Sequence, residues 1–278
     1  MSKQPTRDFR YQQEDFDAIR TRIHEAAGIW LADSKQQMVY SRIVRRLRAL
    51  GLTQFSDYLK VLDKEHDELE LFINALTTNL TSFFRESHHF EALKTYIQQH
   101  HSTKAPIRIW CAAASTGEEP YSIAITAMSA TGSLVPNVSI FASDINSQVL
   151  ATAQRGVYAE SRIEDLDLDM KRRFFLRGKG DKEGLVRVRP ELKRLIEFHR
   201  LNLLDQRWPI KDGLDVIFCR NVMIYFNKET QSTVLKRMVP MLKLGGLYIA
   251  GHSESLGRDI RGLESAGKTV YRRIGGGI

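Results

Sequence analysis

The sequence predicts an α/β protein: a doubly wound parallel-sheet domain carrying a small antiparallel insertion, preceded by an all-helical module. Three observations carry this. Residues 107–111, Ile-Arg-Ile-Trp-Cys, form a short apolar run followed by small residues to Gly117 and then by Glu118, Glu119 and Pro120, which reads as buried strand, tight turn and helix start. Polar groups recur at the ends of apolar runs, at Glu118/Glu119, Asp144, Asn202 and Arg220–Asn221, and open α/β sheets bind ligands at such strand ends. Over about the first 90 residues, by contrast, the apolar positions recur at helical spacing.

At 278 residues, with 42% hydrophobic and 27% charged content, the chain has ample core for one large domain or two ordinary ones. No apolar run approaches the roughly 20 residues of a membrane span, and the start lacks the apolar core of a signal peptide. The two cysteines, Cys111 and Cys219, each end an apolar run and read as buried thiols in a reducing cytoplasm. No ligand-spaced His/Cys cluster is present, so no metal is expected. The net charge of +8 and pI near 9.5 point to an acidic partner, whether nucleic acid, anionic membrane or acidic protein face.

Residues 1–12 are polar and expected to fray. Helices are expected at 14–27, closed by Gly28, and at 34–50, closed by Gly51, with two more at 56–62 and 67–77. The helix at 34–50 carries Arg42, Arg45, Arg46 and Arg48 with no acidic residue among them, so the pairing that usually laces a surface helix is missing and an acidic docking partner is a fair expectation. Residues 77–86 read as a strap leading to the second domain, 90–97 as a helix and 98–105 as a polar linker. The strand at 138–144 ends in Asp144, placed either to accept hydrogen bonds from ribose hydroxyls or to cap the helix at 145–153. Gly178, Gly180 and Gly184 then punctuate a segment whose second limb, 185–189, alternates apolar and basic residues, Arg187 among them. That pattern is a half-exposed antiparallel strand after a glycine-rich turn, a hairpin whose exposed edge can accept a peptide. Strands follow at 195–199 and 215–219, a helix at 228–242 stopped by Gly245–Gly246, and strands at 247–250 and 270–273.

The turn at 112–117 is not the G-x-G-x-x-G dinucleotide fingerprint. Two carboxylates stand where a phosphate would dock, which suits S-adenosylmethionine (SAM), a cofactor with an ammonium, a sulfonium and a ribose but no phosphate. An acidic first turn serving only its own helix is the alternative. A nucleic-acid methyltransferase would also explain the basic charge, but Arg220-Asn221-Val222 follows the 215–219 strand in place of a Pro-Pro-Tyr-type stacking motif. The missing glycines disfavour an NAD-dependent oxidoreductase, and a non-catalytic SAM-sensing or receptor-binding scaffold shares every feature named so far.

The motifs at 78–86 (Thr-Asn-Leu-Thr-Ser-Phe-Phe-Arg-Glu), 112–122 (Ala-Ala-Ala-Ser-Thr-Gly-Glu-Glu-Pro-Tyr-Ser), 141–145 (Phe-Ala-Ser-Asp-Ile), 218–226 (Phe-Cys-Arg-Asn-Val-Met-Ile-Tyr-Phe) and 251–254 (Gly-His-Ser-Glu) together resemble those of the CheR family, bacterial chemotaxis receptor glutamate methyltransferases. The resemblance runs from about Phe16 to Tyr271. It implies an N-terminal helical domain over 1–90 and a Rossmann-like class I SAM-dependent methyltransferase domain over 91–278, with a β-subdomain at about 172–192. It also implies SAM contacts at Asn79, Thr81, Arg85, Glu119 or Glu118, Asp144, Asn202, Leu203 and Asn221, with Arg220 beside them. Arg85 and Tyr225 would lie near the transferred methyl, and S-adenosylhomocysteine (SAH) would be the product.

The implied partners are methyl-accepting chemotaxis proteins. Their acidic methylation helices would lie along the basic helix with Arg42, Arg45, Arg46 and Arg48, and a short C-terminal receptor peptide would dock on the β-subdomain near Gly178, Gly180, Gly184 and Arg187. A cytoplasmic monomer without nucleic acid, metal or membrane insertion is expected. A receptor glutamate is already a carboxylate at neutral pH, so no general base is required, and His252 reads as a loop residue.

Overall fold

The computed structural model describes residues 9–102, 104–254, 256 and 262–275. Residues 1–8 of the stretch expected to fray lie outside them. The chain forms two compact units: residues 1–78 with Tyr225–Asn227, and residues 79–224 with 228–278. Residues 79–90, placed with the helical module by sequence, therefore cluster with the second unit. Phe83 and Phe90 explain this, since both are buried in that unit's core.

The first unit holds four helices, α1 (Gln13–Ala27), α2 (Gln36–Leu50), α3 (Phe55–Leu62) and α4 (His66–Leu76). Phe16, Ile19, Ile23 and Ala27 are the buried stripe of α1, while Val39, Tyr40, Ile43, Val44 and Leu47 are that of α2. Both have the three-to-four spacing of one helix face, and both helices end at a glycine in the left-handed region, Gly28 and Gly51. The segment Tyr225–Asn227 joins this unit through the Trp30 N–H, which donates to the Tyr225 carbonyl at 2.7 Å, and through the Tyr225 hydroxyl, which reaches the Thr78 carbonyl at 3.4 Å.

The second unit is built on a seven-stranded sheet of β1 (Ile107–Cys111), β2 (Val138–Asp144), β6 (Ile196–Arg200), β7 (Leu214–Cys219), β8 (Leu242–Ala250), β9 (Leu263–Gly267) and β10 (Val270–Arg273), in the order β6-β2-β1-β7-β8-β10-β9. The first five run parallel, and β10 enters antiparallel between β8 and β9. Order reverses between β1 and β7, which opens a crevice at their carboxyl ends. Helices α5 (His88–His100), α6 (Glu118–Thr131), α7 (Ser147–Arg155) and α10 (Lys228–Met238) connect or flank the strands. Every residue of α6 from Glu118 to Met128 is buried, its two opening glutamates paired with arginines and the rest mostly apolar.

Two sequence expectations are corrected here. Helix α10 stops at Met238, and a 3-10 turn at Val239–Met241 containing Pro240 leads straight into β8. Gly245 and Gly246 thus lie inside a strand instead of ending a helix. A Cβ on Gly246 would sit 2.9 Å from the Asp215 carbonyl oxygen of β7, so that glycine lets two strands approach.

The insertion is also larger than a hairpin. It is a three-stranded antiparallel sheet of β3 (Val157–Ala159), β4 (Phe175–Arg177) and β5 (Leu185–Val188), ordered β3-β5-β4 and accompanied by α8 (Leu168–Phe174) and α9 (Pro190–Lys193). The limb at 185–189 is consequently the central strand, and β3 and β4 are the edges. Its alternation is real, but β3 is only three residues long and carries no pattern of its own.

Candidate active site

The crevice is assembled from the carboxyl ends of β1, β2, β6, β7 and β8. After β1 the chain turns through Ser115, at φ 47°, and Gly117, at φ 100°. A side chain at Gly117 would meet the Ala153 Cβ and the Tyr158 hydroxyl, both at 2.8 Å, so close packing on α7 and β3 demands glycine there. Asp144 braces this turn. One carboxylate oxygen accepts from the Ser115 N–H at 2.8 Å and the other from the Asn146 N–H at 2.9 Å. Burial pushes the Asp144 carboxyl up, and these backbone donors pull it back. The capping alternative for Asp144 is not realised: Asn146 caps α7, accepting from the Gln148 and Val149 N–H groups.

The two carboxylates opening α6 are not free charges, as the sequence alone suggests. Glu118 is buried against the Arg162 guanidinium and accepts from the Thr116 hydroxyl at 2.6 Å. Glu119 pairs with Arg220 at 2.6 Å and accepts from the Cys111 thiol at 3.2 Å. Burial raises the Glu119 carboxyl above the ordinary value, against the pull of Arg220.

Arg220, 3% exposed, also lies 3.4 Å from Glu86 and donates to the Arg85 carbonyl. Asn221 follows in the left-handed region, φ 57°. Its N–H donates to Glu254 at 2.6 Å, and the same carboxylate accepts from the Gly251 N–H at 2.8 Å and the Ile224 N–H at 3.3 Å.

The strap residues approach the same loops through their backbones. The Ser115 hydroxyl donates to the Asn79 carbonyl at 3.0 Å, Arg162 to the Thr81 carbonyl at 2.6 Å, and the Arg85 guanidinium to the Leu80 carbonyl at 2.9 Å. Beyond β6, the Leu201 N–H donates to the Asp144 carbonyl at 3.0 Å, the Asn202 amide oxygen accepts from the Leu204 N–H at 3.0 Å, and Leu203 is buried. Asn79, Thr81, Arg85, Glu118, Glu119, Asp144, Asn202, Leu203, Arg220 and Asn221 are thus all residues of the second unit, whereas Tyr225 is grouped with the first.

Sequence reasoning gave no role to Arg162, Glu86 or Glu254. The last two end quoted motifs, which is a usable signal. Arg162 sits in a 3-10 turn at Glu160–Ile163 and carries none.

The expected docking residues divide. Arg46 is bidentate to Glu68 of α4, at 2.9 and 2.7 Å, and Glu68 also accepts from the Tyr58 hydroxyl at 2.8 Å. Arg42 donates to the Ala75 and Thr77 carbonyls at 3.2 and 2.7 Å, closing the end of α4. The missing acidic partner is supplied by another helix, a long-range pairing no local spacing reveals. Arg45 and Arg48 are exposed, Arg48 lying over the Phe9 ring at 5.7 Å. Gly178, Gly180 and Gly184 form the β4–β5 connection, and Arg187 is exposed on central strand β5.

The parallel sheet with one reversed strand and carboxylates at its strand ends is the setting of a SAM-dependent methyltransferase, the class to which the family match assigns the chain. Residues 14–77 match the family model described as CheR methyltransferase, all-alpha domain, and residues 79–271 match CheR methyltransferase, SAM binding domain. The chain is 52% identical to chemotaxis protein methyltransferase 2 of Pseudomonas aeruginosa, over 95% of this chain and 94% of that one. It is 48% identical to the chemotaxis protein methyltransferase of Salmonella typhimurium, over 96% and 93% of the two chains, and 48% identical to that of Escherichia coli, over 92% and 89%. The chain belongs to the CheR methyltransferase family. No helix among the described residues is long and apolar enough to cross a membrane.

Proposed function

We propose that the chain transfers a methyl group from SAM to the side-chain carboxylates of glutamates in cytoplasmic regions of chemoreceptors, giving glutamyl methyl esters in chemotactic adaptation. The observation that carries this is the match of both units to CheR domains and of nearly the whole chain to chemotaxis methyltransferases.

The site residues fit a cofactor of that charge. Glu86, Glu118, Glu119, Asp144 and Glu254 gather five formal negative charges, while Arg85, Arg162 and Arg220 supply three positive ones. The strand ends therefore keep an excess of negative charge, which suits a sulfonium and an ammonium and repels phosphate. In this reading Asn79, Thr81, Arg85, Glu119 or Glu118, Asp144, Asn202, Leu203, Arg220 and Asn221 hold SAM, which supplies an electrophilic methyl group.

The residues' task is placement. The incoming carboxylate is ionised without help, and methyl transfer to it neutralises charge, so a strongly polar pocket would slow the step. Acceleration then rests on holding the reactants in line in a partly dry site. Arg85 and Tyr225 orient the reactants. A tight Arg85–carboxylate pair would stabilise the ground state and work against transfer. The exposed arginines of α2 meet acidic receptor helices, and the edges of the β3-β5-β4 sheet are open to a receptor peptide.

The test is transfer of labelled methyl from SAM to a chemoreceptor cytoplasmic fragment, followed by mild alkali. Volatile methanol is the expected result. Alkali-stable label would move the acceptor to nitrogen, and no label despite tight SAM binding would make the chain a scaffold.

A further inference from the structure

We propose that Glu86 is a positioning residue of the cofactor site, fixing Arg220 and Asn221 for a ligand that they, and not Glu86, contact; the proposal rests on the SAM reading given above. Its carboxylate reaches three separated pieces of chain. One oxygen accepts from the His252 N–H at 3.0 Å, after β8, and lies 3.4 Å from the Arg220 guanidinium, after β7. The other faces the Asn221 amide nitrogen at 3.5 Å. Two further groups stand beside it, the Arg85 Nε at 3.9 Å and the His89 Nδ1 at 3.5 Å.

Glu86 shares the setting of these groups with other contacts. Arg220 has no partner at Nε, so Glu119, Glu86, the Arg85 carbonyl and the Phe90 ring beneath it set its orientation. Asn221 is fixed at its backbone by Glu254, while its side-chain amide faces Glu86. The backbone is bent to allow this. Phe84 at φ 52° and Glu86 at φ 58° are both left-handed without being glycine, a strained conformation that clusters at functional sites. Burial opposes ionisation of Glu86, yet Arg220 and its other polar neighbours outweigh it and hold the carboxyl below its ordinary value.

A glutamine in this place has the shape without the function. Its amide NH2 would point a donor at the Arg220 guanidinium, the Asn221 NH2 or the His252 N–H, each of which is itself a donor. Affinity for any ligand held by Arg220 and Asn221 must then fall, whether or not that ligand carries the sulfonium charge. This separates positioning from through-space attraction. SAM is cationic at sulfur, SAH is neutral there, and a positioning residue treats them alike.

The experiment is calorimetric titration of the full chain with SAM and with SAH, for wild type, Glu86→Gln and Glu86→Asp, beside thermal unfolding without ligand. Glu86→Gln is expected to weaken both ligands by the same factor, roughly tenfold or more, with only a modest fall in the ligand-free unfolding midpoint. Glu86→Asp, which keeps the charge but retracts it by one methylene, is expected to recover part of the loss, again equally for both. It decides the matter alone should the amide variant not fold. Unchanged affinity, or loss confined to SAM, would overturn the proposal, as would loss explained by a large fall in the unfolding midpoint. Wild type binding neither ligand would instead overturn the cofactor reading on which the proposal stands.

Discussion

His89 illustrates how far one residue's surroundings can depart from its sequence context. It sits in α5 between His88 and the core residue Phe90, and its side chain is fully buried, with Nε2 2.8 Å from the Thr269 hydroxyl. Burial, then the nearby Arg220 and His88, lower its pKa from 6.5 to about 3. The unfolded chain takes up a proton on this histidine as pH falls below about 6.5, and the folded chain does not until about 3. Stability therefore rises with pH across that window and is complete above it, with a slope of at most about 1.4 kcal/mol per pH unit from this one group. Urea unfolding measured between pH 4 and 6.5 is expected to show a shallower pH dependence in His89→Gln than in wild type. Equal slopes would mean that the histidine titrates normally in the fold. Nothing local in the sequence announces this, because the hydrogen-bond partner of its Nε2 lies 180 residues away. The same limit hid the Arg46–Glu68 pair, whose partners lie 22 residues apart. By contrast, the position of Asp144 at a strand end was legible, because the apolar run before it is local.

At the scale of elements, periodicity and punctuation located the helices of the first unit and most strands of the main sheet. They failed where an element is very short or where an apolar run changes geometry midway. β3 has three residues and no pattern, and the α10–β8 junction passes from helix to strand through Pro240 without a polar break. The glycines of the β-subdomain were legible as a turn, and one of them is sterically obligatory. A Cβ on Gly178 would collide with the Lys182 carbonyl oxygen, so Gly178→Ala must open the β4–β5 connection. Hydrogen exchange across residues 175–188 is expected to quicken in this variant while SAM affinity stays at the wild-type value, since the cofactor groups stand at the ends of the other sheet. Unchanged exchange would show that the turn relaxes without cost to its strands, and a fall in SAM affinity would show that the two sheets are not independent.

At the scale of the whole molecule, the net charge of +8 pointed to an acidic partner but not to where it binds. The structure sorts the arginines of α2 into two that serve their own unit, Arg42 and Arg46, and two that face solvent, Arg45 and Arg48. Reversing Arg46 would strand the buried Glu68 and confuse docking with folding. Arg45→Glu is the cleaner probe. It is expected to slow receptor methylation several-fold at low salt and to blunt its salt dependence, because exposed charges are screened over about 8 Å at physiological ionic strength. SAM affinity and unfolding midpoint should match wild type. Methylation that falls with no change in salt dependence would place the receptor elsewhere.

The assignment of Tyr225–Asn227 to the first unit bears on how such a protein can be recombined. The polypeptide leaves the sheet unit after Ile224, contributes three residues to the helical one, and returns at Lys228. A chimaera that exchanges the helical unit at residue 78 alone would take the three residues that pair with Trp30 and cluster with that unit from the other parent. A graft that moves the helical unit whole therefore carries two separate pieces of sequence, one ending at Thr78 and the other Tyr225–Asn227.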